Sequence, residues 1–160
     1  FWCNMDIQSK QMTKEVEDWI NEVISKPNKI FGNLPPCPYA RKAWKDKKVK
    51  VTYDKSVLME DYAKLNSGEL DLIMIIQQDA NVDELYELKD YLESNLGKDY
   101  VILEDHPELK EEVGGMNLNF GKPVLFVQNR KKLTEARKFL ETKDYYKNFD
   151  KEYKDDILSN

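Results

Sequence analysis

The chain has 160 residues, 41% of them hydrophobic and 34% charged, with a formal net charge of −5. That length fits one domain of ordinary size, and the apolar share can fill a core without a disulfide or metal staple. The acidic balance argues against general nucleic-acid binding, and no apolar run nears the roughly 20 residues of a membrane span.

The N-terminus lacks a basic stretch followed by an apolar one, so no signal peptide is expected. Cys3 and Cys37 are the two cysteines, too few for a disulfide framework or a thiolate zinc site. Free thiols and a cytoplasmic location are therefore expected. His106 is the sole histidine, which excludes any site needing two imidazoles. No cofactor and no metal is implied.

Residues 1–12 show no period and are expected to be an extension outside the fold. From Thr13, Val16, Trp19, Ile20 and Val23 fall on one helical stripe, which Pro27 must end. Residues 27–38 are rich in Pro, Gly and Asn and predict a loop. Pro38 then predicts a short helix running through Trp44, with Pro at its first position. Lys48–Tyr53 alternates strictly and predicts a half-buried strand.

Ser56–Leu65 predicts a helix stopped at Gly68. Leu70–Gln77 is nearly all apolar and predicts a central strand buried on both faces. Val82–Leu96 carries Leu85, Leu88, Leu92 and Leu96 on one stripe, ending at Gly97, and is the clearest helix. Tyr100–Leu103 and Val124–Val127 predict strands. Between them, residues 104–121 read as a long loop, with Gly114 and Gly115 as a flexible part. Leu133–Leu140 predicts a helix with Leu133, Ala136 and Leu140 inward. Residues 142–160 read as a charged, tyrosine-rich tail, either docked through its aromatics or partly disordered.

These elements predict a single α/β domain over residues 13–141, an α+β sandwich. Leu70–Leu140 reads β-α-β-β-α, most of a ferredoxin-like unit. The Lys48–Tyr53 strand would complete a four-stranded sheet from the N-terminal side, giving a permuted form. A thioredoxin-like arrangement is the alternative.

The sharpest chemical signal is Pro35-Pro36-Cys37-Pro38-Tyr39-Ala40. With Cys37 at the helix N-cap, backbone N–H groups and the helix dipole would favour its thiolate. Tyr39, Arg41 and Lys42 stand beside it, and the two cations would help hold an anion. The competing reading makes Cys37 a small apolar plug beneath the turn. Glu104-Asp105-His106-Pro107-Glu108 follows a strand, where His106 could serve as a general base to Cys37. The competing reading is an exposed turn. Asn129 and Arg130, at a strand end and helix start, could hold an anion, or could form a solvated charge cluster.

Cys-Pro-Tyr at a helix start is similar to monothiol glutaredoxins, with Ala40 where the dithiol forms carry a second Cys. A broader likeness runs over residues 15–141. It takes in the Trp19 helix, Cys37-Pro38-Tyr39-Ala40-Arg41-Lys42, the Val49–Tyr53 strand, the acidic Leu/Tyr helix and His106-Pro107. This order resembles short bacterial proteins of unknown function with a Cys-Pro-Phe/Tyr-Ala motif and a later Phe-His-Pro. Asp105 stands where that family has Phe, and no Ser-Pro follows Asn129-Arg130. The resemblance implies a fold and no defined activity.

Three functions follow as expectations. The first is a thiol-dependent enzyme or redox protein using Cys37 and His106. The second is a non-enzymatic module that engages a protein partner. The third is a binder of a small anionic metabolite.

Overall fold

The four longest strands pair into one sheet. A computed structural model describes residues 7–53, 59–110 and 112–159. The strands are β1 (Val49–Thr52), β2 (Leu72–Ile76), β3 (Tyr100–Asp105) and β6 (Val124–Asn129), in the order β1-β2-β6-β3. β2 pairs parallel with β1 and antiparallel with β6, and β6 pairs antiparallel with β3. β2 and β3 therefore run the same way with β6 inserted between them. Helix α4 (Val82–Leu96) connects them, which makes a split βαβ unit. β1 supplies the fourth strand from the N-terminal side, through α3 (Met59–Ser67). Because it enters by a helical crossover, it runs parallel to β2, and the sheet is mixed.

Helices cover both faces. One face buries Ile73, Ile75, Ile102, Leu125 and Val127 under Tyr62 and Leu65 of α3 and Leu85, Leu88 and Leu92 of α4. α4 begins with a reciprocal cap: the Asn81 side chain accepts from the Glu84 N–H at 2.8 Å, and Glu84 accepts from the Asn81 N–H at 3.2 Å. The other face buries Met74, Ile76 and Val124 under Val16, Ile20 and Ile24. Those three lie on α1 (Ile7–Trp19) and on the π-helical turn Ile20–Ile24 that continues it. The helix starts at Ile7, before Thr13, and Met12, assigned on sequence to the extension, is only 3% exposed.

One further segment differs from the expected reading, and another takes the docked alternative given for it. Residues 112–117 form a hairpin, β4 (Glu112–Val113) and β5 (Met116–Asn117), joined by Gly114 and Gly115. Both glycines have positive φ, 57° and 82°, the conformation a two-residue hairpin turn demands. The Gly-Gly pair is thus a structural turn. Residues 142–159 pack as a third core: Tyr145 and Tyr146 are buried with Phe31, Val113 and Leu140. Helix α6 (Lys151–Leu158) is capped by Asp150, whose side chain accepts from the Glu152 N–H at 2.9 Å.

Candidate functional site

A cleft of about 710 Å³ opens between the second sheet face, the 36–43 segment, α5 (Arg130–Glu141) and the C-terminal aromatics. Its floor is Leu72, Phe126, Gln128 and Leu103, alternate residues of three adjacent strands. Leu133, Ala136 and Leu140 of α5 form one wall, as their 3–4 residue spacing requires. Cys37, Ala40 and Ala43 form the opposite wall, and Tyr145, Tyr146 and Tyr153 close one end. Clefts of this size and apolar character are the usual seats of small ligands.

Cys37 lines the cleft, but not as a helix cap. α2 spans only Ala40–Lys45, and Tyr39 occupies its N-cap position. Residues 37–39 form a turn that precedes it, closed by the Ala40 N–H donating to the Cys37 carbonyl at 3.3 Å. The Cys37 N–H donates to the Ile24 carbonyl at 2.8 Å, which fastens the turn to α1's continuation. Although part of the residue reaches solvent, protein surrounds the sulfur. Burial pushes the thiol pKa up, outweighing the Tyr39 and Ala40 N–H groups that pull it down.

His106 is buried and does not line the cleft. Its Nε2 donates to the Ala80 carbonyl at 2.9 Å, and its Nδ1 accepts from the Glu108 N–H at 3.0 Å. That pair of bonds assigns the neutral tautomer and occupies both ring nitrogens. The imidazole fastens the end of β3 to the loop before α4.

The expected anion-holding groups have other partners or stand apart. Lys42 ion-pairs with Asp46 at 2.5 Å on the surface. Arg41 is exposed and outside the cleft lining. Arg130 donates from Nε to the Lys98 carbonyl at 2.7 Å and from Nη2 to the Tyr100 carbonyl at 3.2 Å, so it ties α5 to the start of β3. Asn129 lines the cleft, yet its side chain caps α5, accepting from the Lys132 N–H at 3.0 Å and donating to Asn66 at 2.7 Å. Tyr39 stands at the cleft rim, 45% exposed.

Three residues gain a place that the sequence alone did not assign. Phe126 and Gln128 form the floor, and Arg137 of α5 is a half-buried wall residue beside Tyr146. Asp105 also lines the cleft, at 4% exposure. Burial pushes its carboxyl up to about 6, against the pull of the Phe120 N–H and the nearby His106. Tyr145 braces the end wall, its hydroxyl donating to the Pro36 carbonyl. Among the described residues no helix is long and apolar enough to cross a membrane. Compared with known proteins, the chain matches no family model, no curated protein and no solved structure.

Proposed function

We propose that the protein is a binding module that takes a small molecule with a largely apolar body into the cleft over Phe126. The observation that carries this reading is the cleft itself: about 710 Å³ walled by aliphatic and aromatic side chains of an otherwise packed domain. The charges on its lining narrow the ligand. Asp71, Asp105, Glu135 and Asp156 outnumber Lys132 and Arg137 on the lining, an acidic surplus that favours a neutral or cationic polar end over an anion. The free thiol of Cys37 supports a cytoplasmic location.

Titration of the full chain with butylbenzene, read by tryptophan emission from Trp19 in the cleft wall, tests this reading. Saturable binding is expected. Ala136→Phe, which places a ring in the same space, should abolish it while leaving the fold intact. Undiminished binding in that variant would refute the cleft as the site.

A thiol reaction at Cys37 is the second reading. Its support is the position of Cys37 on the cleft wall and the Tyr39 and Ala40 N–H groups directed at its sulfur. A bound electrophile would then meet Cys37 as nucleophile. Saturable alkylation of Cys37 by an apolar-bodied electrophile, blocked by butylbenzene, is the result that would favour this reading.

A further inference from the structure

Asp105 closes β3 on the sheet face that forms the cleft floor. Its side chain is nine-tenths or more buried, at 4% exposure, and one oxygen is accounted for: Oδ2 accepts from the Phe120 N–H at 2.9 Å. Oδ1 is buried and makes no hydrogen bond of ordinary geometry among the described residues, although the His106 backbone N–H lies near enough to pull on the carboxyl. Buried side-chain oxygens are nearly always paired, so an orphan on the wall of a cleft points to something that the cleft receives.

The groups around Asp105 are already committed. The His106 ring bonds the Ala80 carbonyl and the Glu108 N–H. Glu104 ion-pairs with Lys89 at 2.7 Å. The Trp19 N–H donates to the Leu118 carbonyl at 3.1 Å. The neighbouring lining (Trp19, Leu103, Leu118 and Phe126) is apolar or, like the indole N–H, already bonded. An ionised carboxylate only accepts, so what completes this site is a donor.

Resting on the binding-module reading, we propose that Asp105 is the polar anchor of the cleft, and that its ligand is an apolar-bodied molecule ending in a hydrogen-bond donor, a primary amine or an alcohol. The apolar body would lie over Phe126 and Leu103, and the donor would reach Oδ1. Charge complementarity with the acidic lining favours the amine of the two.

Calorimetric titration of the full chain with phenylbutylamine, phenylbutanol, butylbenzene and phenylbutyrate tests the anchor with one constant body. The amine and the alcohol should bind roughly tenfold more tightly than butylbenzene, the expected yield of one hydrogen bond to a charged acceptor. Phenylbutyrate should bind worst. Asp105→Asn keeps an acceptor for Phe120 and turns the other position into a donor. It should erase the amine's advantage over butylbenzene, so that the two bind the variant about equally. Equal affinity of wild type for all four, as when Oδ1 holds only water, overturns the anchor while sparing the cleft. So does an amine advantage that survives Asp105→Asn. Absence of binding by any of the four removes the cleft reading and the anchor together. The wild-type ranking stands as a test even if the variant fails to fold.

Discussion

Replacing Asp105 by Asn tests the electrostatics of the cleft independently of any ligand. The ordinary value for the carboxyl is 3.8, and burial raises it to about 6 in the folded chain. A raised acid binds its proton more tightly when folded, so between these values the native state holds more protons than the unfolded one. Stability then falls as pH rises through that window. The gap corresponds to about 3 kcal/mol, absent below the lower value and fully expressed above the higher one. Asn cannot titrate. It carries a roughly constant penalty for an amide placed at the orphan position, and no pH slope. Urea unfolding of both proteins from pH 4 to 7.5 should therefore show Asp105→Asn gaining on wild type by about 2.5 kcal/mol as pH rises. His106 and Glu104, the ionisable groups that act on Asp105, are present in both proteins. Parallel pH profiles, or a gap that moves the other way, would refute a buried, under-bonded carboxyl.

Three other perturbations address the elements that frame the cleft. In a Cys3→Ser background, Cys37 should react with iodoacetamide far more slowly in the folded chain than in urea at pH 8, because burial raises its pKa. Equal rates would return it to the class of exposed thiols. Tyr145→Phe keeps the ring contacts with Phe31 at 5.2 Å and Tyr146 at 4.8 Å but strips the bond to the Pro36 carbonyl. It should cost about 1–3 kcal/mol in urea unfolding, and no change would mean that the brace is idle. Gly114→Ala adds a Cβ 2.8 Å from the Ile30 side chain at positive φ, whereas a Cβ at Gly115 meets nothing within 4 Å. Gly114→Ala should be the more destabilising by about 1 kcal/mol or more on thermal unfolding, and equal losses would argue against close packing of the hairpin on Ile30.

The elements that were legible in the sequence are those whose signal is local and long. α4 has four leucines in register and a cap pair three residues apart, and it forms over Val82–Leu96 as its spacing predicts. β2 reads as a doubly buried strand and is one, trimmed at both ends to Leu72–Ile76. What was not legible depends on distant partners. Tyr146, Phe149, Tyr153 and Ile157 recur at helical spacing, yet nothing local says that Phe31 and Val113, which precede them by more than 30 residues, will cover them. His106 looks like a candidate base because its neighbours are carboxylates. Its role is set by the Ala80 carbonyl, 26 residues earlier. At Cys37 the Pro-Cys-Pro spacing is compatible with a cap or with a turn, and the start of α2 at Ala40, with Tyr39 at its N-cap position, decides for the turn. Asn129 shows the same ambiguity: a polar residue at a strand–helix junction fits an anion site or an N-cap, and α5 begins one residue later.

The cleft itself is a physical anomaly that bears on function. α5 is fixed at its start by the Asn129 cap and by Arg130, and at its end by Leu140 in the third core. Between those points Leu133 and Ala136 stand half-buried above Phe126 and do not reach the wall that carries Cys37. Protein interiors pack to nearly crystalline density, and a chain shaped by stability alone would close such a gap with a larger side chain at its centre. Ala136 is the position to ask. If the space is only imperfect packing, Ala136→Phe should leave stability unchanged or lower it through strain. If the space is held open for a ligand, Ala136→Phe should raise the stability of the empty protein by about 1–2 kcal/mol, through apolar area removed from water, while it abolishes uptake of butylbenzene. Stability gained at the same position where binding is lost is the trade expected of a site kept open for use. A loss of both would place Ala136 in the packed core instead, and the cleft would have to be sought nearer Leu72 and Gln128.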